Sequence, residues 1–186
     1  MGFVKRSIVA SQVGEILEAG FETPASAQDQ IISTFDGVYA AEEKLAGYTT
    51  SVSVLPGEAL KLRVRSTGVW SVKIVRIGSY PGGDGRVVDS VGSQAVVSQP
   101  DCTTTPDTFM VSCPWNDTLS FSTSAWPTGV YVARMESADG YAIAPFVVRS
   151  SSNVGKTVVN YGALTVAAYN KFGGASAYRG LDNTAV

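Results

Sequence analysis

The sequence predicts a mainly β protein: an immunoglobulin-like antiparallel β-sandwich with an N-terminal helical leader and a short C-terminal extension. Three observations carry this. Val, Ser, Thr, Gly and Ala dominate and leucine is scarce, a palette that suits pleated, half-buried surfaces better than helices. From Tyr48 onward the apolar residues alternate, in about seven or eight short runs with turn signals about every 8–12 residues. Residues 126–149, WPTGVYVARMESADGYAIAPFVVR, hold an Asp-Gly between two β-branched and aromatic runs, a strong hairpin signal.

The elements follow in order. Residues 5–19 place Ile8, Val9, Val13, Ile16 and Leu17 at helical spacing. Thr23-Pro24 suits a second helix start. Ile31, Ile32, Phe35, Val38, Tyr39 and Leu45 continue an amphipathic pattern that Gly37 weakens and Gly47 could cap. Residues 1–46 therefore read as a helical leader.

The sandwich spans residues 47–150. Residues 51–55 form a short strand, and Pro56-Gly57-Glu58 turns the chain. Over residues 59–65, Leu60, Leu62 and Val64 face inward while Lys61, Arg63 and Arg65 face outward. Residues 70–77 alternate again, with Trp70, Val72, Ile74 and Arg76 on one face. A glycine-rich loop follows at 78–85, then short edge strands at 86–88 and 95–97. Residues 98–117 are loop and 119–122 a strand. The hairpin pairs residues 129–136 with 141–149 about the turn Ala138-Asp139-Gly140. Val130, Val132 and Arg134 share one face; Tyr131, Ala133 and Met135 share the other. Both faces are largely apolar, which marks a central hairpin.

Residues 151–186 read as a linker and the first elements of a truncated α/β domain. Ser150-Ser151-Ser152-Asn153 links, residues 156–161 form a strand, and residues 164–171 open a helix that Gly173-Gly174 breaks.

The chain has 186 residues, 45% of them hydrophobic and 16% charged, with a net charge of −2. No run of one sign stands out, which argues against a nucleic-acid groove or an anionic-membrane patch. No apolar run reaches the roughly 20 residues that a membrane span needs. The first residues lack the apolar stretch of a signal peptide. Histidine is absent, which removes the commonest general base and metal ligand. The two cysteines, Cys102 and Cys113, lie in a Thr- and Pro-rich segment without a zinc-type spacing. In an exported protein they would form a loop-stapling disulfide; in the cytosol they would be two small buried thiols. The disulfide is the favoured reading; the compartment is left open, with an extracellular setting favoured if the disulfide forms.

Other motifs carry less chemistry. The glycines at 78, 82, 83 and 85 precede a strand rather than a helix, so they make a tight loop rather than a phosphate cradle. Asp84 with Asp89 is a thin basis for calcium. Asp101, Asp107 and Asp117 suit a solvated loop. Trp70, Trp115 and Trp126 could stack on a sugar, but buried tryptophans are commoner in sandwiches. The acids are scattered, so no carboxylate pair and no catalytic residue is assigned.

Five segments follow one another as in a known family: TSVSVLPGEALKLRV, VKIVRIGSYPGGDGRVV, Cys113-Pro114-Trp115, WPTGVYVARMESADGYAIAPFVVR and AAYNKFGGASAYRG. Over residues 48–178 the chain resembles the large (beta) subunit of N,N-dimethylformamidase. That resemblance implies a β-sandwich preceding a larger α/β domain, and an amide hydrolase using iron held by tyrosines and a glutamate. It implies Tyr169 as a metal ligand, since a phenolate suits a hard ferric ion, with Asn170 beside it as a substrate-binding residue. Counterparts of the other ligands are not found in this chain, so it is expected to bind no cofactor and to be inactive alone, as the accessory portion of such an enzyme. A second copy or a catalytic chain is the expected partner, met through residues 1–46 and 157–178. The alternative is a self-contained β-sandwich binding or assembly module, with a carbohydrate-binding module as its less favoured form.

Overall fold

Alternation along each strand decides which side chains enter the core. The computed structural model describes residues 30–108, 110–152, 154–155, 158, 160, 162–170, 172–174 and 176. The strands are β1 (Ile31–Ile32), β2 (Leu45–Thr49), β3 (Ser53–Val54), β4 (Ala59–Ser66), β5 (Trp70–Tyr80) and β6 (Gly83–Gln94). They continue as β7 (Thr103–Thr104), β8 (Val111–Ser112), β9 (Leu119–Ser122), β10 (Gly129–Ser137) and β11 (Gly140–Val148). A short helix, α1 (Ala163–Tyr169), follows.

The larger sheet runs in the order β1-β6-β5-β10-β11-β3 and the smaller in the order β2-β4-β9. Among the described residues the strand pairings are antiparallel except β3 with β11, and the isolated bridge from Tyr39 to Tyr141 is also parallel. The chain crosses from one sheet to the other at residues 50–52, because β2 pairs with β4 while β3 pairs with β11. The expected hairpin is present, with Tyr131 opposite Phe146; Gly140 opens the return strand opposite Ser137 rather than completing the turn.

One core lies between the sheets. Leu60, Leu62 and Val64 of β4 meet Trp70, Val72 and Ile74 of β5, and Tyr131, Ala133 and Met135 of β10. The aromatic centre stacks Trp126, Tyr131 and Phe146, with Tyr131 to Trp126 at 5.9 Å and to Phe146 at 5.4 Å. The Tyr131 hydroxyl donates to the Pro127 carbonyl at 2.5 Å, so its polar end is satisfied although the ring is fully buried.

The larger sheet is covered on its outer face too. Val75, Ile77, Val130 and Val132 form a second cluster there, with Ile32, Phe35, Val87 and Ile143 packed around it. Residues 30–41 supply the cover. β1 pairs with β6 at one margin of the sheet, and Tyr39 bridges to Tyr141 of β11 at the other. This strap corrects the expected second helix of the leader: residues 30–46 are strand and turns. The spacing that suggested a helix comes from an extended segment laid across an apolar surface already built by β5 and β10. Burial of Ile32 and Phe35 there replaces helix propensity, and Gly37 adopts a φ of 107° that a helix does not use. The expected helix over residues 5–19 lies outside the described residues.

The glycine-rich loop is also corrected. Residues 78–85 are mostly strand, joined by a turn at Pro81-Gly82. Gly85 lies under the strap: a Cβ there would overlap the Thr34 hydroxyl and come 2.5 Å from Val75 Cγ1. The helix expected from residue 164 is present as α1, whereas residues 156–161 lie largely outside the described residues.

Candidate functional site

On the outer face of the smaller sheet, β4 presents Lys61, Arg63 and Arg65, and β2 sets Tyr48 opposite Arg63. Cys102 and Cys113 form a disulfide that closes the loop over this face. The Tyr48 hydroxyl donates to the Cys113 carbonyl at 2.6 Å. Trp115 packs on Tyr48 at 5.5 Å, donates its Nε1 hydrogen to Pro100 O at 2.9 Å, and lies 5.2 Å below the Arg65 guanidinium. Asp117 accepts from Lys61 at 2.7 Å and from Arg63 at 2.8 Å. Those bonds, Lys61 first and then Arg63, hold the Asp117 carboxyl below its ordinary range. These groups are committed to one another. The cluster is suited to fastening a loop rather than to moving protons.

The C-terminal segment arrives at this cluster. Phe172 meets Trp115 edge to face at 6.1 Å, and the Gly173 amide donates to Glu42 Oε2 at 3.0 Å. Asn170 ends α1, and its Oδ1 accepts from the Phe172 amide at 3.2 Å. This side chain therefore shapes the turn that delivers Phe172. Tyr169 is the last residue of α1 and is 59% exposed. No residue of α1 is buried, and Leu164 is 88% exposed. Among the described residues there is no group of three or more Cys, Asp or Glu side chains placed to hold a metal ion. Tyr169, the residue implied as a ligand for a mononuclear iron, stands exposed at the end of α1.

The remaining candidates resolve into structure. Asp84 Oδ1 accepts from the Thr34 amide at 2.5 Å, and Asp89 Oδ1 accepts from the Ser90 amide at 2.8 Å. Both acids thus serve the backbone. Trp70, Trp115 and Trp126 are all buried, so they offer no stacking platform to a sugar. A shallow depression of about 410 Å³ lies between Trp70, Ser93, Glu136 and Ser137. Its one acid, Glu136, is paired with Lys73 at 2.9 Å and Arg134 at 2.7 Å. No helix among the described residues is long and apolar enough to cross a membrane.

Two features went unread in the sequence. One is the joining of Trp115 with Phe172, signalled only by a tryptophan two residues after a cysteine and an aromatic before Gly173-Gly174. The other is Arg134, which follows Val130 and Val132 on one face of the hairpin and marks where the strap crosses.

No curated protein and no solved structure matches this chain. A family model does match: residues 71–186 fit the description "N,N-dimethylformamidase beta subunit-like, C-terminal". That match starts in β5, takes in the hairpin and α1, and covers more than half of the sequence, so the chain belongs to the N,N-dimethylformamidase beta subunit-like family.

Proposed function

We propose that this chain is the accessory β-sandwich portion of an N,N-dimethylformamidase-like amide hydrolase, and that it does not turn over amides alone. The observation that carries the reading is the continuity of the family match from β5 through β11 and across residues 150–152 into α1. An apolar helix with no buried residue suits an element that packs against further structure. An immunoglobulin-like arrangement is supported by the strand order, by the division of residues 45–54 between the two sheets as β2 and β3, and by the parallel pairing of β3 with β11. The bond from Tyr131 to Pro127, four residues upstream, resembles a tyrosine corner.

The test is turnover together with metal content. The purified chain is incubated with N,N-dimethylformamide, released dimethylamine is measured, and iron is quantified in the same sample. Neither turnover nor bound iron is expected. Stoichiometric iron with turnover would overturn the proposed inactivity. The coding sequence beyond Val186 tests the other half: an in-frame α/β domain supports the accessory role.

A second reading is an assembly module, favoured by the exposed Leu164, Val166 and Tyr169. Size-exclusion chromatography with light scattering separates the two. A concentration-dependent dimer that Leu164→Ser abolishes supports assembly, and a monomer at all concentrations counts against it.

A further inference from the structure

We propose that the Cys102–Cys113 loop is a redox-conditioned seat for the Phe172–Gly174 turn, so that reducing the disulfide releases that turn from the sandwich. The seat has three walls. Trp115 receives Phe172 edge to face at 6.1 Å. Glu42 accepts the Gly173 amide at 3.0 Å. Val111 of β8 closes against Gly173, where a Cβ would come 2.8 Å from its Cγ2. Gly173 also has a φ of 79°, so the fit depends on the absence of a side chain.

Two of these walls belong to the loop that the disulfide closes or to its immediate flank. Within the loop, β7 and β8 pair over only two residues each, far too little to hold a hairpin by itself. Val111 therefore depends on the covalent link for its position. Trp115 is anchored separately, through Pro100 O and the contacts of Tyr48 and Arg65. Reduction should accordingly loosen the Val111 wall and the seated turn while leaving the main core unchanged. The step needs an external dithiol. Its thiolate attacks one cystine sulfur to give a mixed disulfide; its second thiol closes on this, leaving two cysteine thiols and one cyclic disulfide. The inference concerns contacts within this chain and stands whether or not the amide-hydrolase reading holds.

Lys171 immediately precedes the turn, so trypsin reports its opening at the Lys171–Phe172 bond. The full chain is compared oxidised, reduced with dithiothreitol, as Cys102→Ser/Cys113→Ser, and as Gly173→Ala. Cleavage at this bond is expected to be about tenfold faster in the reduced protein and in the double variant, as local opening becomes more populated. Amide exchange in β5, β10 and β11 should stay unchanged. Oxidised Gly173→Ala should cleave equally fast, and dithiothreitol should add nothing further. Equal rates in oxidised and reduced wild type would overturn the proposal. So would a further response of Gly173→Ala to dithiothreitol, or loss of core protection on reduction. If the double variant does not fold, the wild-type pair and Gly173→Ala decide the question.

Discussion

The Arg134 guanidinium lies 4.0 Å from the centre of the Tyr141 ring, and both side chains hold the same segment. Arg134 donates to the carbonyls of Thr34 and Asp36, and the Tyr141 hydroxyl donates to Phe35 O at 2.8 Å. Three consecutive carbonyls on the strap, those of Thr34, Phe35 and Asp36, are thus fixed by one β10 and one β11 residue. The strap hides the outer apolar cluster and occupies part of both sheet margins, where an exposed edge would invite pairing with another chain.

Arg134→Ala should loosen the strap and lower stability by about 2–4 kcal/mol, from lost charge-assisted bonds and the ring contact. Arg134→Lys should recover little, because an ammonium cannot bond two carbonyls in the geometry of a planar fork. Urea denaturation measures both. A loss below about 0.5 kcal/mol for the alanine variant would show that the strap is held by apolar contact alone.

Gly85→Ala attacks the same strap from below. The new Cβ would overlap the Thr34 hydroxyl and approach Val75 Cγ1. Both are buried, so neither can swing into solvent. Overpacking of this kind costs about 1–3 kcal/mol. Amide exchange should rise first at residues 30–36, while β10 and β11 keep their protection. Uniform loss across the core would show that the strap and sheet unfold as one unit.

These positions show how far the sequence was legible. Leu60, Leu62 and Val64 alternate with charged neighbours, and the turn after Ser137 carries Asp-Gly; β4 and the hairpin could be read to within about two residues. The strap could not. Ile31, Ile32, Phe35 and Val38 have helix-like spacing, and only the surface that Ile32 and Phe35 cover makes the segment extended. The glycines at 83 and 85 were read as loop residues because nothing local shows what passes above them. Asn170 and Tyr169 are assigned by resemblance alone; Asn170 bonds the next turn, and Tyr169 is exposed at the end of α1.

Glu136 should make stability depend on pH. Partial burial raises its carboxyl, but the hydrogen bonds from Arg134 and Lys73 outweigh this and hold it below the ordinary glutamate range. A carboxyl depressed in the folded state adds stability that is present above its unfolded value and is lost as pH falls through the folded one. The gap between wild type and Glu136→Gln should be constant near neutrality and shrink below about pH 4.3, the ordinary glutamate value. Urea titrations at pH 7, 5 and 3 read it directly. A gap that stays constant down to pH 3 would mean that Glu136 is not stabilised by its partners.

Tyr131→Phe isolates one hydroxyl in the aromatic centre. The ring stays, so the stacking with Trp126 and Phe146 is kept. The bond to Pro127 O is lost, and with it the fastening of the segment that enters β10. A bond of this kind contributes about 0.5–1.5 kcal/mol net, with a further cost if the carbonyl stays buried and unpaired. Tyr131→Ala also removes a fully buried ring and should cost about 3–5 kcal/mol. The ratio of the two losses is the informative quantity. If phenylalanine costs nearly as much as alanine, the hydroxyl governs the approach to β10. If phenylalanine is neutral, the bond is incidental and the aromatic stack alone holds the two sheets together at this end.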